Sequence, residues 1–120
     1  MFERLHNLKN IDATKIASFI TKGTEVILQY SDPIYNTDLL KVINTLCEKY
    51  GNLLNVRFYD HRISGFDFRI LKEIPSVTNL EITIDGSYSN IEELWSLRHL
   101  KRLRLGIDHM ARFDILSGDN

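Results

Sequence analysis

The chain has 120 residues, of which 43% are hydrophobic, so it can bury one core and is expected to form a single domain. Its 15 basic and 16 acidic residues leave a formal charge of −1, without the basic excess that nucleic-acid binding normally requires. One cysteine excludes an internal disulfide, and no apolar run approaches the roughly 20 residues that span a bilayer. The first ten residues are charged and polar rather than signal-like. We therefore expect a cytoplasmic protein whose partners include neither nucleic acid nor a membrane.

The N-terminal elements are predicted to be helical. Apolar residues recur at every third position from Phe2 to Ile11, which is typical of a helical cap or of a decayed repeat. The segment IDATKIASFITKG follows as another helix, with Asp12 as its N-cap and Gly23 as its stop. Residues 1–23 are therefore predicted to form a helical N-terminal cap.

Four short segments alternate between apolar and polar residues and are predicted to be strands with one buried face. They lie in TEVILQY, LLNVRFYD, LEITI and LRLGI, in chain order. The first strand can be aligned with the second by placing either Val26 or Leu28 opposite Leu54. The alignment of Leu28 with Leu54 is preferred, because the same step along the chain leads from Leu54 to Leu80 in the third strand.

Helical segments are predicted between these strands. The stretch TDLLKVINTLCEKYG has one apolar face and is predicted to begin at Thr37 or Asp38 and to end at Gly51. Later returns are shorter, because apolar residues at every third position suit a short helix or a 3-10 turn. Residues 68–84 repeat at 91–107, with seven apolar positions matching without a gap.

These repeats indicate the architecture. A unit with one strand and one short helix cannot bury its apolar side by itself, but stacked units can. The predicted fold class is α/β: a short solenoid over residues 24–107, with about four parallel strands and helical or 3-10 returns on its convex side. An ordinary α/β domain with two similar amphipathic segments is the alternative. Residues 108–120 are predicted to be a C-terminal cap, in which Phe113 and Leu116 repeat the start of the short helix. The alternative is an end left open for a partner or a second copy to cover.

The phrases VTNLEITID and LKRLRLGID resemble the leucine-rich repeat, whose pattern is L-x-x-L-x-L-x-x-N. Asp85 and Asp108 stand where the family has asparagine, and Tyr59 takes that position in the preceding unit. The ladder of side-chain amides between neighbouring repeats is therefore expected to be incomplete. The resemblance implies a non-catalytic protein that binds another protein through its exposed strand face.

The exposed strand face is predicted from the alternation, because residues between the buried ones point to the opposite, concave side. Several arginines surround one glutamate there, which suits docking to an acidic patch on a partner. An ordinary solvated sheet surface is the alternative. In this alignment Asn55 lies in the same row as Glu81, and Arg57 in the same row as Thr83. The predicted partner-binding residues are Gln29, Asn55, Arg57, Glu81, Thr83, Arg102 and Arg104.

A small protein of this kind looks like an immunity protein or inhibitor that neutralises a toxin enzyme, which would be an acidic partner protein. It is also similar to a recognition domain of a larger adaptor or effector. A structural domain that oligomerises through its ends is a third alternative. An enzyme of unrecognised type is the remaining alternative, using two Asp-His pairs, 60–61 and 108–109, that each follow a strand.

No catalytic residue, metal ligand or cofactor is predicted. The four histidines lack metal-ligand spacing, and the six glycines are dispersed rather than gathered in a phosphate-binding loop. Cys47 lies on the apolar side of its helix and is expected to be a core residue, with a reactive thiol as the alternative. Trp95 lies off the apolar pattern and is expected to be partly exposed on the convex side.

Overall fold

A computed structural model describes residues 2–7, 10–31, 37–61 and 65–107. The predicted C-terminal cap at 108–120 lies outside these described residues. Helices are denoted α, 3-10 helices η and strands β. The elements in chain order are β1 (Phe2–His6), α1 (Ala13–Thr21), β2 (Glu25–Ser31), α2 (Thr37–Tyr50), η1 (Gly51–Leu53), β3 (Leu54–Asp60), β4 (Phe66–Asp67), η2 (Phe68–Glu73), β5 (Asn79–Ile84), β6 (Tyr88–Ser89), η3 (Ile91–Ser96) and β7 (Arg102–Ile107).

Five strands form one parallel sheet in the order β1-β2-β3-β5-β7, and β4 and β6 form a separate parallel pair. The predicted parallel α/β sheet is confirmed, but it has five strands rather than about four. The additional strand, β1, occupies part of the segment predicted as a helical cap, so that prediction is wrong for Phe2–His6. Pairing with β2 provides hydrogen-bond partners for one edge of β1 and places Leu5 beside Leu28, against the core.

The helical returns follow the predicted local signals. Asp12 is the N-cap of α1, and its carboxylate accepts hydrogen bonds from the backbone N–H groups of Thr14 and Lys15 at 3.0 and 3.2 Å. Gly23 follows this helix with a φ of 81°, a backbone conformation that favours glycine. The short returns η2 and η3 are 3-10 helices, as the three-residue spacing predicted.

The register of the strands differs from the predicted alignment. Val26 lies beside Leu54, so the preferred alignment of Leu28 with Leu54 is wrong. Val56 rather than Leu54 lies beside Leu80, which places Arg57 instead of Asn55 beside Glu81. A slip of two positions leaves every side chain on its own face of the sheet. The predicted alignment of the last two strands is confirmed, because Leu80 lies beside Leu103. Alternation therefore predicts all the faces, but the rows only between β5 and β7.

The core lies on one face of the sheet. The inward residues of the strands pack there with buried side chains of α1, α2, η2 and η3. Its largest members include Phe58, Phe66 and Phe68, and the rings of the last two meet edge to face with centroids 4.9 Å apart. The other face of the sheet, here named the open face, is not covered by these helices and carries the predicted partner-binding residues.

Candidate binding surface on the open sheet face

The open face is arranged in rows that cross the strands. All seven predicted partner-binding residues lie on it, which follows from their alternation with the buried positions. The structure groups them differently from the predicted rows, for the reason given by the register. The first row is Arg4, Ile27, Asn55, Asn79 and Arg102, the second is His6, Gln29, Arg57, Glu81 and Arg104, and the third is Ser31, Tyr59, Thr83 and Gly106.

Positive charge is concentrated on this face. Four arginines project from its strands, whereas the acidic residues of the same strand faces are Glu25 and Glu81. The whole chain, by contrast, has a formal charge of −1. The folding of a nearly neutral sequence thus separates charge, and the open face presents a positive surface to other molecules.

Glu81 is the centre of a small polar cluster. One of its carboxylate oxygens lies 3.6 Å from Nε of Arg57, and the other accepts a hydrogen bond from the hydroxyl of Tyr59 at 3.3 Å. The Arg57 and Glu81 side chains are only 24% and 16% exposed, so this ion pair is partly shielded from water. Both oxygens of Glu81 are therefore engaged by β3, and Arg57 is held in a defined position.

Arg102 and Arg104 differ from Arg57. Both are exposed, and neither forms an ion pair with another residue that the structure describes. Arg104 lies beside Glu81 in the sheet register, but the Glu81 carboxylate is already bound to Arg57 and Tyr59. Two successive outward positions of a strand are about 6.6 Å apart. Together Arg102 and Arg104 form a pair of cations that are available to a partner.

Part of the open face is structural rather than available. Asn79 is buried, and its side-chain amide donates to the carbonyl oxygens of Gly51 and Asn52, each at 3.4 Å. Ile27 is only 3% exposed although it points to this face. The middle of the first row therefore stabilises the sheet, while the accessible charges lie towards β7.

The Asp-His pairs of the enzyme alternative are only partly described. Nδ1 of His61 lies 3.4 Å from a carboxylate oxygen of Asp85, whereas its sequence neighbour Asp60 is buried. Both side chains of the His61–Asp85 contact are 54% exposed. The contact joins the turn after β3 to the turn after β5, whereas the predicted pair was within one turn. The second predicted pair, 108–109, lies outside the described residues. No group of three or more His, Cys, Asp or Glu suited to a metal ion occurs in the part of the chain that the structure describes.

Cys47 is a core residue in the structure. It is 2% exposed on the buried side of α2. Burial, and secondarily the negative charge of Glu48, raise the pKa of the Cys47 thiol to about 12. A thiol with this pKa is protonated at neutral pH and is a poor nucleophile, which favours the packing role over the reactive one.

One side-chain bridge between units was missed by the sequence reasoning. Asp67 precedes η2 and Asn90 precedes η3, and the amide of Asn90 donates to a carboxylate oxygen of Asp67 at 2.9 Å. The guanidinium of Arg69 donates to the other oxygen, and this contact holds the pKa of Asp67 well below its usual range. The signal was present in the sequence, because Asp67 and Asn90 occupy equivalent positions, directly before the repeated segments 68–84 and 91–107.

Comparisons with family models, curated proteins and solved structures found no match to this chain. None of the helices in the described ranges has the length and hydrophobicity needed to cross a membrane. The candidate surface is therefore interpreted from its own geometry and charge.

Proposed function

We propose that this chain is a non-catalytic interaction module that binds a partner protein on its open sheet face. The observation that carries the proposal is the pair of exposed arginines without intramolecular ion pairs among the described residues, Arg102 and Arg104, on a positive face of a nearly neutral chain. Such a face complements an acidic patch, and complementary charge increases both association rate and specificity.

The proposed architecture behind this function is a short solenoid similar to leucine-rich repeats. It is supported by the register of β5 with β7, in which Leu80 lies beside its repeat equivalent Leu103, and by the equivalent 3-10 returns η2 and η3. In that class of protein the exposed strand face is the usual binding surface. We propose that the Asp67–Asn90 hydrogen bond serves as the side-chain ladder between neighbouring repeats. It lies directly before the 3-10 helices, whereas the resemblance placed the ladder after the strands.

The three arginines have different proposed roles. Arg57 is held by Glu81, so it loses little conformational freedom when a partner binds. Arg102 and Arg104 supply the charge that the partner neutralises, since a guanidinium can bind a carboxylate through two parallel hydrogen bonds. Truncating an arginine at the centre of a protein interface costs about 1–4 kcal/mol.

Within this class we favour a cytoplasmic immunity-type inhibitor, which would block a toxin enzyme sterically and electrostatically. The size and composition of the chain support this reading, because one small domain with a positive face suffices to cover an acidic active-site cleft. The recognition piece of a larger adaptor or effector would use the same open face.

The experiment begins with capture of a partner on the immobilised full chain and continues with the Kd for the purified partner. Arg57→Glu together with Arg104→Glu should weaken binding by about 100-fold or more through charge reversal. Arg102→Glu with Arg104→Glu is a second variant, because neither of its arginines has an ion pair among the described residues to lose. Circular dichroism checks that each variant is folded.

The matched control is Lys41→Glu with Lys49→Glu, two exposed cations of α2 that lie away from the open face. It should leave the Kd unchanged within about threefold, because distant surface charges act weakly at physiological salt. Full binding by both open-face variants would contradict the proposal. It would move the interface to the opposite side, where Trp95 is 67% exposed and Tyr88 is 38% exposed.

A further inference from the structure

A run of basic residues connects the open face with a groove at the amino ends of the strands. The sequence RHLKRLR covers residues 98–104 and ends in the outward arginines of β7. Its first part, which includes Arg98 and Lys101, lines a groove of about 660 Å³. We define the basic strip as Arg98, Lys101, Arg102 and Arg104.

The groove has the size of a binding site. Its volume falls within the range of about 300–1,000 Å³ that is common for pockets that bury a ligand. The last turn of α2 supplies Glu48 to one wall, and the segments before β5 and β7 supply Thr78 and Lys101. The backbone N–H groups of Lys101 and Arg102 both donate to the carbonyl oxygen of Thr78, at 2.8 and 3.1 Å. These bonds fix the position of the basic strip where it passes from the groove onto β7.

The cations at the groove are not compensated within the described structure. Arg98 and Lys101 are exposed and form no ion pair with another described residue. The carboxylate of Glu48 accepts a hydrogen bond from the side-chain amide of Asn44 at 3.2 Å. The groove and the open face thus each carry more positive than negative charge, and they are continuous through Lys101 and Arg102.

We propose that the element that occupies this surface is an extended acidic segment of a partner protein, which follows β7 from the groove to the open face. This inference rests on the proposed function and deepens it. Alternate residues of an extended chain are about 6.6 Å apart, which equals the spacing of successive outward residues on β7. Carboxylates at every second position of the segment therefore match Arg102 and Arg104, and the end of the segment enters the groove.

An acidic residue of the surface favours a polypeptide over a nucleic acid. Glu48 lies in the groove, so a continuous phosphate backbone would meet a negative charge along the strip. A peptide segment has carboxylates at intervals and backbone N–H groups between them, which can face Glu48. The surface therefore matches a ligand with spaced negative charges.

The probe for the test is a labelled eight-residue peptide of alternating glutamate and threonine, with both termini blocked. Its binding to the full chain is measured by fluorescence anisotropy at low salt. The matched peptide contains glutamine in place of glutamate, and an eight-nucleotide single-stranded RNA is the third probe. We expect the glutamate peptide to bind at least about tenfold more tightly than the glutamine peptide and more tightly than the RNA, and to weaken as salt is added.

Two double variants separate the groove from the open face. Arg98→Glu with Lys101→Glu, and Arg102→Glu with Arg104→Glu, should each lower the affinity for the glutamate peptide by about tenfold or more. Lys15→Glu with Lys22→Glu, two exposed cations at α1 beside β2, far from β7 in the strand order, is the control of equal charge change; compared at about 0.15 M salt, it should alter the affinity by less than about threefold. All of these substituted residues are exposed, so each variant is expected to fold, and its melting curve verifies this.

The outcomes distinguish the inference from the proposed function. If only the Arg102/Arg104 variant loses affinity for the glutamate peptide, the segment does not extend into the groove, and docking on the open face is retained. A loss only in the Arg98/Lys101 variant would overturn docking on the open face. Tighter binding of the RNA, or no binding of the glutamate peptide, would overturn the inference that the surface binds an acidic segment of a partner protein. In these last two cases the proposed function is judged separately by the Kd of the captured partner.

Discussion

The two halves of the sheet are built with different returns. In the N-terminal half, β2 pairs with β3 after a long connection, and α2 covers them with a buried stripe that includes Leu40, Ile43 and Leu46. In the C-terminal half, the connections from β3 to β5 and from β5 to β7 are shorter, and the returns are the 3-10 helices η2 and η3. The same parallel sheet therefore accepts long or short returns.

The shorter returns have additional connections between units. Along η2 and η3 the strands β4 and β6 pair, the amide of Asn90 donates to Asp67, and Nζ of Lys72 lies 3.4 Å from a carboxylate oxygen of Glu93. A 3-10 helix buries less apolar surface than a three-turn α-helix, because it has fewer residues on its inner side. We infer that these contacts between neighbouring segments add to the apolar packing of η2 and η3, which bury Phe68, Leu71 and Leu94.

The largest expected effect tests whether one core joins the two halves. Leu28 and Leu103 lie in the same inward row, on β2 and β7. Leu28→Asp and Leu103→Asp should each unfold the whole domain, because a buried unpaired carboxylate costs several kcal/mol against a total stability of about 5–15 kcal/mol. Circular dichroism melting curves measure this result.

The control for the core variants is Arg102→Asp, which introduces the same residue at an outward position of β7. It should remain folded, because its carboxylate stays in water. A soluble Leu103→Asp protein with a cooperative melting curve would show that β7 does not bury this side chain. β7 would then not share the core that Leu28 helps to form.

The next effect compares one glycine from each half. Gly65 has a φ of 90°, and an added Cβ would lie 2.7 Å from the carbonyl oxygen of Ser87. Gly23 has a φ of 81° but no atom within 4 Å of such a Cβ. Gly23→Ala should lower the free energy of unfolding by about 1–2 kcal/mol, because alanine disfavours this backbone conformation. Gly65→Ala should lower it by about 2–4 kcal/mol, because the segments around Gly65 and Ser87 must also move apart.

Urea titration of the two alanine variants measures the difference. The variants are matched in substitution and nearly matched in φ, so the excess at Gly65 reports the close approach of the chain to Ser87. Equal free energies of unfolding would indicate that the segments before β4 and β6 do not pack as closely as described. That result would argue against a stabilising role for the contacts between the segments that contain η2 and η3.

A smaller effect is expected from the ion pair that begins η2. The guanidinium of Arg69 holds the pKa of Asp67 well below its usual range, so the folded protein binds this proton less readily than the unfolded chain. The stabilisation is therefore present above about pH 4 and is lost as the pH falls towards the lowered pKa. Asp67→Asn should lower the Tm by a few degrees at pH 7 and by less at pH 2.

Asp12→Asn is the matched change in the N-terminal half, since Asp12 is also a helix cap. Asparagine is as good an N-cap as aspartate, so this variant should melt within about one degree of the parent protein at pH 7. A Tm difference between Asp67→Asn and the parent that does not depend on pH would show that the Asp67 charge contributes little.

The sequence predicted the elements of the fold better than their pairing. Alternation identified β5 and β7, and a spacing of three identified η2 and η3, because these patterns reflect local side-chain direction. The strand β1 was not predicted. Its apolar residues recur at every third position, which is typical of a helix, but pairing with the edge of β2 makes this segment a strand. The slip of two positions at Glu81 changed its row but not its face.

The candidate site shows the same division between local and distant information. The outward positions of Arg102 and Arg104 follow from alternation within β7. The Arg57–Glu81 ion pair depends on the register of two strands, and the groove lies between residues from the end of α2, such as Glu48, and from the segment before β7, such as Lys101. Contacts between residues so distant in the sequence cannot be read from local periodicity. The charged surface could therefore be predicted in composition but not in arrangement.

The smallest expected effects compare the open face in the two halves. Gln29 and Thr83 are half-buried on this face, on β2 and β5. Gln29→Ala and Thr83→Ala should each change the free energy of unfolding by less than about 1 kcal/mol, because neither removes a core contact. Ile82→Ala, one position away on the buried side, should cost about 2–5 kcal/mol. A loss from Thr83→Ala as large as that from Ile82→Ala would mean that the open face of β5 is covered in solution, so the arginines beside it would not be available for docking.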